Sequence, residues 1–401
     1  MIPRHRPGPA ALSLLLAGAV LAAGCGPAAQ VRAPVSFPEG WPYPADAPAV
    51  TADSGAVVTT DAYATDVGVE ILRAGGNAVD AAVAVSFALA VVNPQAGNLG
   101  GGGFMVARLS DGTEAALDYR EKAPLAATRD MFLDEAGNLT DRSVVGHLAS
   151  GVPGTVMGMW EAHQRFGALP WEDLVGPAVE LAESFVVRPR QHRMFTASEE
   201  GLRRFEATAT TFLPGGQVPQ VGDTFRQPDL AGTLRRIRDR GADGFYRGET
   251  ADLIVAEMER GGGIISHEDL QRYDVAWRDP LVFEYREHTL LSMPPSSSGG
   301  ATMAEAANIL EGYSPDTLAW HSAVHVHLLA EAWKRAYADR NTYLADTAFV
   351  DVPLEAMISP AYAAERRAEI RLDRATPSDS VEPGLGSEPE PRAVTGGQHT
   401  T

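Results

Sequence analysis

The sequence predicts an α+β fold in which helices and strands form mixed layers. Of its 401 residues, 45% are hydrophobic and 21% are charged, which is typical of a globular protein with a sizeable core. Helical and strand patterns alternate without the regular rhythm of parallel βαβ units. A strong hairpin signal is also present, because Asp111-Gly112 separates two strand-like segments, Phe104 to Leu109 and Glu114 to Tyr119.

Two helices are predicted before this hairpin. From Asp61 to Ala74 apolar residues recur at helical spacing, and Gly75-Gly76 ends the pattern. From Asn77 to Val92 the residues are apolar on nearly every face, which is typical of a helix that is buried on most sides, and Asn93-Pro94 ends it.

Further helices and short strands are predicted after the hairpin. The periodicity indicates helices at 153–166, 171–184, 228–240, 249–260, 301–311 and 319–339, and strands near 281–285 and 289–293. From about Ala375 onward proline, glycine, serine and glutamate dominate, and no apolar period remains. We therefore expect a folded domain over residues 49–374 and a flexible linker over residues 375–399.

The first 25 residues have the pattern of an export signal. Arg4 and Arg6 precede an apolar run at 10–23 that is too short to span a membrane. Small residues then lead into Cys25, the only cysteine, as in a bacterial lipobox, where the cysteine is lipidated and becomes the new N-terminus. Ala22 stands where a larger aliphatic residue is usual, so the alternative is an ordinary secretory signal with an incidental cysteine.

Export and net charge together limit the partners of the chain. Residues 26–48 are rich in proline and polar residues, which indicates a tether between the signal and the domain. We expect a periplasmic or cell-surface protein that is anchored through lipidated Cys25. The net charge of -19 argues against a nucleic-acid partner and against binding to anionic membrane surfaces, so the lipid would be the only membrane attachment.

A glycine run, Gly100 to Gly103, leads into the first hairpin strand. It lacks the Lys-Ser/Thr pair of a phosphate loop, and the order helix, glycines, strand is the reverse of a dinucleotide fingerprint. The run indicates close backbone approach and positive φ angles beside a site, with structural packing as the alternative.

Arg120 follows the second hairpin strand. An arginine displayed at a strand end is well placed for a bidentate contact to a carboxylate. A surface ion pair with Glu121 or Asp118 is the alternative, and spacing alone does not decide between the two.

Two further groups of polar residues carry candidate chemistry. The segment Ser292 to Gly300 enters a predicted helix, so its serines are expected to cap that helix, although the same N–H groups could receive an anion. His321, His325 and His327 lie on one predicted helix, but no His-Glu-x-x-His pattern accompanies them. We expect no metal site there.

Eight segments occur in an order that resembles a known family. They are DAYATDVGVEILRAGGNAVDAAVAV, NPQAGNLGGGGFM, LDYREKAP, HLASGVPGTV, GFYRGETAD, SMPPSSSGG, KRAYADR and the terminal HTT. Together they closely resemble the large subunit of bacterial γ-glutamyltranspeptidase, and the resemblance covers roughly residues 48–401.

The resemblance implies an N-terminal nucleophile (Ntn) hydrolase, an αββα four-layer sandwich made as a precursor that cuts itself before a threonine. By position the cut falls between His399 and Thr400, and residues 400–401 begin the small subunit. Thr400 is then the nucleophile, and its freed α-amine, with an ordinary pKa of about 7.7–8.0, is the base. We expect the sandwich to be incomplete without the small-subunit strands.

The resemblance also implies a reaction and its substrates. Arg120 matches the family arginine that binds the α-carboxylate of the γ-glutamyl group. Thr400 attacks the γ-carbonyl of glutathione or another γ-glutamyl amide, and water or an amino-acid or peptide acceptor then resolves the ester. No metal or organic cofactor is implied. The partner is the chain's own small subunit, and we expect this chain alone to be inactive.

Two other functions stay open from the sequence. One is an acylase of the same fold that acts on a glutaryl-like amide such as a cephalosporin side chain. The other is a non-catalytic lipoprotein that uses the scaffold as a binding module.

Overall fold

The computed structural model describes residues 51–319, 322–386 and 389. The chain divides into two units, residues 1–54 and 55–401, and the helices and strands named below belong to the second. The helices are α1 (Ala62–Arg73), α2 (Ala78–Val92), α3 (Thr155–Phe166), α4 (Trp171–Glu183), α5 (Pro189–Leu202), α6 (Glu206–Phe212), α7 (Pro228–Arg240), α8 (Asp243–Tyr246), α9 (Glu249–Gly261), α10 (His267–Arg272), α11 (Gly299–Glu311), α12 (Ala323–Tyr343), α13 (Leu354–Met357) and α14 (Pro360–Ala368). The strands are β1 (Phe104–Arg108), β2 (Glu114–Asp118), β3 (Phe185–Val186), β4 (Thr224–Phe225), β5 (Ala276–Arg278), β6 (Leu281–Tyr285) and β7 (His288–Ser292).

The first two helices begin at polar caps. The Asp61 carboxylate accepts a hydrogen bond from the backbone N–H of Tyr63 at 2.9 Å, and Asn77 and Asp80 form a reciprocal capping box at the start of α2. Phe87 in α2 is fully buried, as expected for a helix that is apolar on nearly every face. Both predicted helices are confirmed.

The largest core is built around α2. This helix packs against α1, α3 and α4, and α4 packs in turn against α7. Trp171, at the start of α4, connects α4 to α7. Its indole Nε1 donates a hydrogen bond to the carbonyl of Ile237 at 2.9 Å. Leu174 and Leu234 are fully buried at the same contact, so burial of apolar area holds these helices together.

A three-stranded antiparallel sheet has the order β1-β2-β5. Its register pairs Phe104 with Asp118 in the hairpin and Asp118 with Ala276 in the outer pair. The predicted β1-β2 hairpin is confirmed, and so are the two predicted strands β6 and β7, which pair with each other; β5 and the short pair β3-β4 were not predicted. Strands of two or three residues are too short to show an alternating pattern.

The later helices pack against the second hairpin. α11 contacts α12, α14 and β6, and buries Ile309 against Leu328 and Ala332 of α12. α12 begins at Ala323, not at 319, because the side chain of Ser322 accepts a hydrogen bond from the backbone N–H of His325 at 3.0 Å and caps the helix.

Residues 376–386 lie along α12, which differs from the linker expected over 375–399. Lys334 Nζ donates to the carbonyl of Thr376 at 2.6 Å, and the backbone N–H of Gly384 donates to Asp339 Oδ1 at 2.8 Å. These contacts are polar, so no pattern of apolar residues in the sequence indicates that this segment packs on α12. The remainder of that predicted linker, apart from residue 389, lies outside the described residues, as do the predicted signal (1–25), the predicted tether (26–48) and residues 400–401.

Several helices were not predicted, among them α5, α6, α10 and α14. In α5 only Gln191, Met194 and Phe195 are buried, so the helix shows too few apolar positions for a clear period. Of the helices in the described ranges, none is long and apolar enough to cross a membrane.

Candidate active site

A cleft of about 400 Å³ lies where the β1-β2 hairpin meets α11 and α12. Its lining consists of Phe104, Arg120, Ser296, Ser297, Ser298, Arg340, Asn341 and Leu344. This volume is in the range of small-molecule sites, and its polar groups are two guanidiniums, three hydroxyls and one amide. The cleft therefore favours an anionic ligand.

Two hydrogen bonds hold the backbone of Arg120 in place, and its side chain is exposed. Its N–H donates to Asp118 Oδ1 at 3.2 Å, and its carbonyl accepts from the hydroxyl of Tyr273 at 2.8 Å. The guanidinium carbon lies 5.8 Å from the centre of the Phe104 ring. Among the described residues Arg120 has no carboxylate partner, so its fork of N–H donors is available to a ligand.

The ion pair considered for Arg120 with Asp118 or Glu121 is wrong. Asp118 Oδ2 instead accepts from Nε and Nη2 of Arg278 in the neighbouring strand, at 3.1 and 3.0 Å. Asp118 is nearly buried and Arg278 is three-quarters buried, which makes this a well-shielded contact. The pairing of β2 with β5 thus neutralises the carboxylate of Asp118, two residues before Arg120.

The glycine run supports the backbone at Arg120. A Cβ atom on Gly102 would come within 2.8 Å of Arg120 Cα and would also clash with the carbonyl of Tyr119. The ring of Tyr119 packs against Gly103 and Gly158, and its burial raises the pKa of its hydroxyl to about 12. The predicted close approach is confirmed at Gly102.

The positive φ angles expected in the glycine run are wrong. None of Gly100 to Gly103 has a positive φ. The backbone there continues the hairpin, with Gly103 and Tyr119 exchanging N–H···O hydrogen bonds at 3.0 and 3.3 Å. Glycine is needed at Gly102 for space and not for a left-handed turn.

The serine segment contacts an arginine at the cleft. The helix α11 begins at Gly299, two residues before its predicted start, so Ser298 directly precedes it. The side chain of Ser298 makes no capping hydrogen bond, so the expected capping is wrong at this serine. Its Oγ accepts from Nε of Arg340 at 3.1 Å instead. Nη1 of Arg340 donates to Oδ1 of Asn341 at 2.8 Å.

Two of the three histidines of the predicted cluster, His325 and His327, lie in the described ranges. His327 Nε2 is bonded to the carbonyl of Arg371 at 2.7 Å, the backbone of His325 is capped by Ser322, and His321 lies outside the described residues. Within the described part of the chain, no group of three metal-ligating side chains occurs.

The other predicted site residues fall where the structure gives no description. His399 and Thr400, the predicted cleavage junction and nucleophile, and Cys25, the predicted lipidation site, all lie outside the described residues. Sequence reasoning assigned no role to Arg340, although it ends the KRAYADR segment. The sequence feature that could have indicated Arg340 is its position as the last residue of the KRAYADR segment, at the end of a long predicted helix.

The chain matches the sequence profile described as gamma-glutamyltranspeptidase over residues 64–401. The glutathione hydrolase proenzyme of Pseudomonas sp. (strain A14) is 47% identical over 339 residues, which are 84% of this chain and 59% of that protein. The acylase ACY 1 proenzyme of Pseudomonas sp. (strain V22) is 40% identical over 86% of this chain and 63% of its own length.

A solved structure of similar architecture is Helicobacter pylori gamma-glutamyltranspeptidase. It superposes with a TM-score of 0.82 at 43% identity, over 84% of this chain and 98% of that chain. The present chain spans about three-fifths of the length of the curated relatives that it matches.

Proposed function

Because the chain belongs to the γ-glutamyltranspeptidase family, we propose that it supplies the large-subunit part of an enzyme for γ-glutamyl amides. The enzyme would hydrolyse glutathione and transfer its γ-glutamyl group to amino acids or peptides. Its α+β fold is of the Ntn-hydrolase type. The relatives named glutathione hydrolase proenzyme support this substrate.

The observation that carries the proposal is the unpaired guanidinium of Arg120 in a cleft of about 400 Å³. A carboxylate bound to both prongs of this fork would be fixed in position and orientation. The α-carboxylate of a γ-glutamyl group is a ligand of this kind.

The proposed chemistry starts at Thr400. Its hydroxyl attacks the γ-carbonyl of the amide while its free α-amine accepts the hydroxyl proton, and the amine product leaves after taking up a proton. The γ-glutamyl group is then an ester on Thr400. Water releases glutamate in hydrolysis, whereas the amino group of an acceptor takes the γ-glutamyl group in transfer.

Arg120→Lys tests the role of the guanidinium in the enzyme expressed from the full gene. Lysine keeps the charge but loses the two-pronged contact, so we expect KM for a γ-glutamyl anilide to rise about tenfold or more. Arg193→Lys, at an exposed arginine of α5 that does not line the cleft, is the matched control. Equal KM values for wild type and Arg120→Lys would remove Arg120 from the substrate site.

Thr400→Ala tests the proposed cut between His399 and Thr400. We expect the precursor to stay whole, because the attacking hydroxyl is lost, whereas Thr400→Ser keeps a hydroxyl and should still be cut. Mass spectrometry of the purified protein measures the result. A Thr400→Ala precursor that is cut at the same bond would contradict the assignment.

An acylase acting on glutaryl-like amides is the second candidate, and the 40% identity to acylase ACY 1 supports it. The two substrates differ in the α-amine, which a glutaryl group lacks. Comparing kcat/KM for a γ-glutamyl amide and the matching glutaryl amide separates the candidates. A higher value for the glutaryl amide would favour the acylase.

We also propose that the protein is exported and anchored through a lipid on Cys25. The basic residues, short apolar run and small residues before Cys25 support this localisation. In the native host, wild type should partition into detergent and incorporate labelled fatty acid, and Cys25→Ala should do neither. An unlabelled wild-type protein would contradict lipidation.

A further inference from the structure

Arg340 is a second guanidinium in the cleft that the proposed γ-glutamyl chemistry does not use. It lies near the C-terminal end of α12, whereas Arg120 follows the β1-β2 hairpin. A single α-carboxylate on Arg120 would therefore leave the second positive charge without an anion.

The hydrogen bonds of Arg340 go only to neutral groups among the described residues. Nε donates to Ser298 and Nη1 to Asn341, while Nη2 and one N–H of Nη1 have no protein acceptor in that part of the chain. Arg335, one and a half turns earlier in α12, pairs with Glu331 at 2.8 Å and with Glu369 at 3.2 Å. Arg335 thus forms ion pairs that stabilise the fold, whereas Arg340 on the same helix forms none among the described residues.

The carboxylate next to Arg340 in sequence does not neutralise it. Asp339 is fully buried, accepts from the hydroxyl of Tyr362 at 2.6 Å, and lies 3.4 Å from Nε of Arg366. Its carboxylate interacts with these two residues and also accepts a hydrogen bond from the backbone N–H of Gly384. The positive charge of Arg340 therefore remains available at the cleft.

The groups around Arg340 are suited to receive an anion. Ser297 and Ser298 carry hydroxyl donors, and Asn341 carries an amide NH₂ donor. α11 begins directly after Ser298, so the N–H groups of its first turn and the positive end of its dipole lie beside the same segment. No carboxylate lines the cleft among the described residues.

We propose that Arg340 and the Ser297-Ser298 segment bind a second carboxylate, located on the amine portion of the γ-glutamyl substrate. This specificity rests on the proposed γ-glutamyl function. The preferred substrates would then be γ-glutamyl peptides with a free C-terminal carboxylate, rather than uncharged γ-glutamyl amides. A cleft of about 400 Å³ is large enough for a ligand of tripeptide size.

The experiment compares two substrates that differ in one charge. These are glutathione and its C-terminal carboxamide, and kcat/KM is measured for both with the enzyme expressed from the full gene. We expect wild type to prefer glutathione by about tenfold or more, as for a charged hydrogen-bonded contact. Arg340→Met should lower this ratio to about one, and Arg340→Lys should retain part of it.

The ratio is taken on one preparation, so a variant that folds poorly still gives a valid value. Arg193→Met removes the same charge outside the cleft and controls for long-range attraction of anions by the protein. A wild-type ratio near one, or an unchanged ratio in Arg340→Met, would overturn the second carboxylate site. A wild-type enzyme that acts on neither substrate would contradict the γ-glutamyl function itself, and the subsite with it.

Discussion

Asp118 and Arg120 lie two residues apart, yet only the side chain of Asp118 has an ion-pair partner among the described residues. The carboxylate of Asp118 binds Arg278 across the sheet, and the guanidinium of Arg120 lines the cleft. The two residues remain coupled, because the side-chain Oδ1 of Asp118 accepts the backbone N–H of Arg120. One carboxylate therefore both supports the strand pairing and positions the residue that we propose contacts the substrate.

Asp118→Asn should lower the free energy of unfolding by about 1–3 kcal/mol, because Arg278 loses its charged partner in a shielded position. Urea denaturation measures this change. Asp243→Asn is the matched control, since Asp243 pairs with Arg247 at the surface, where both side chains are more than half exposed. The control should change stability by less than about 0.5 kcal/mol. Equal effects of the two substitutions would contradict the importance of the Asp118 pair.

At the scale of elements, the glycine run fixes the distance between β1 and the segment that carries Arg120. Gly101 accepts hydrogen bonds from the N–H groups of Gly154 and Thr155 at the start of α3, at 2.7 and 3.0 Å. Gly102 lies against the backbone of residues 119–121. The glycine run therefore contacts both α3 and the β1-β2 hairpin closely, because its residues have no side chains to keep these elements apart.

Gly102→Ala should displace this backbone, because its Cβ meets backbone atoms that cannot rotate away. We expect a loss of about 1–3 kcal/mol in stability, together with a higher KM for γ-glutamyl substrates. Gly100→Ala is the matched control in the same run, since a Cβ at Gly100 meets no atom within 4 Å. Thermal unfolding and steady-state kinetics of the two variants provide the comparison. Equal behaviour would remove the steric argument.

The helices and hairpins with a clear apolar period were predictable, and the shorter elements were not. α2 and the β1-β2 hairpin are confirmed because burial imposes a pattern on their residues. α5 lacks such a pattern because most of its surface faces solvent. At the site, Arg120 was identified through the family resemblance of its segment, because its position after a strand left a surface ion pair as the alternative. Arg340 was missed because spacing along the chain does not show that α12 ends beside the same cleft.

At the scale of the whole molecule, one buried acid gives folding a pH dependence. Glu305 in α11 is fully buried, and neither of its oxygens has a hydrogen-bond donor among the described residues. Burial, followed by the nearby carboxylate of Asp339, raises the pKa of Glu305 far above its ordinary value of 4.5, against the opposing effect of Arg366. A protonated Glu305 can donate its hydrogen to Asp339.

The sign of the effect follows from the proton count. Above about pH 4.5 the unfolded chain releases the Glu305 proton while the folded chain keeps it. The free energy of unfolding should therefore fall as pH rises above 4.5, by up to about 1.4 kcal/mol per pH unit from this group. Below pH 4.5 both states are protonated and the effect disappears.

Glu305→Gln should reduce this slope, since glutamine resembles the protonated acid and does not titrate. Urea unfolding at pH 5 to 9 measures the slope for wild type and variant. Glu365→Gln, at an exposed position of α14, is the control and should leave the slope unchanged. Parallel curves for wild type and Glu305→Gln would contradict a proton held on Glu305.

The attachment of residues 376–386 to α12 has a kinetic consequence for the proposed cut. The carbonyl of Gly386 accepts from the hydroxyl of Tyr343, the residue before Leu344 of the cleft. Fourteen residue steps, or at most about 50 Å of extended chain, separate Gly386 from Thr400. The proposed junction therefore remains tethered within that distance of Gly386. Maturation should be first order, with the same half-life in dilute and in concentrated protein.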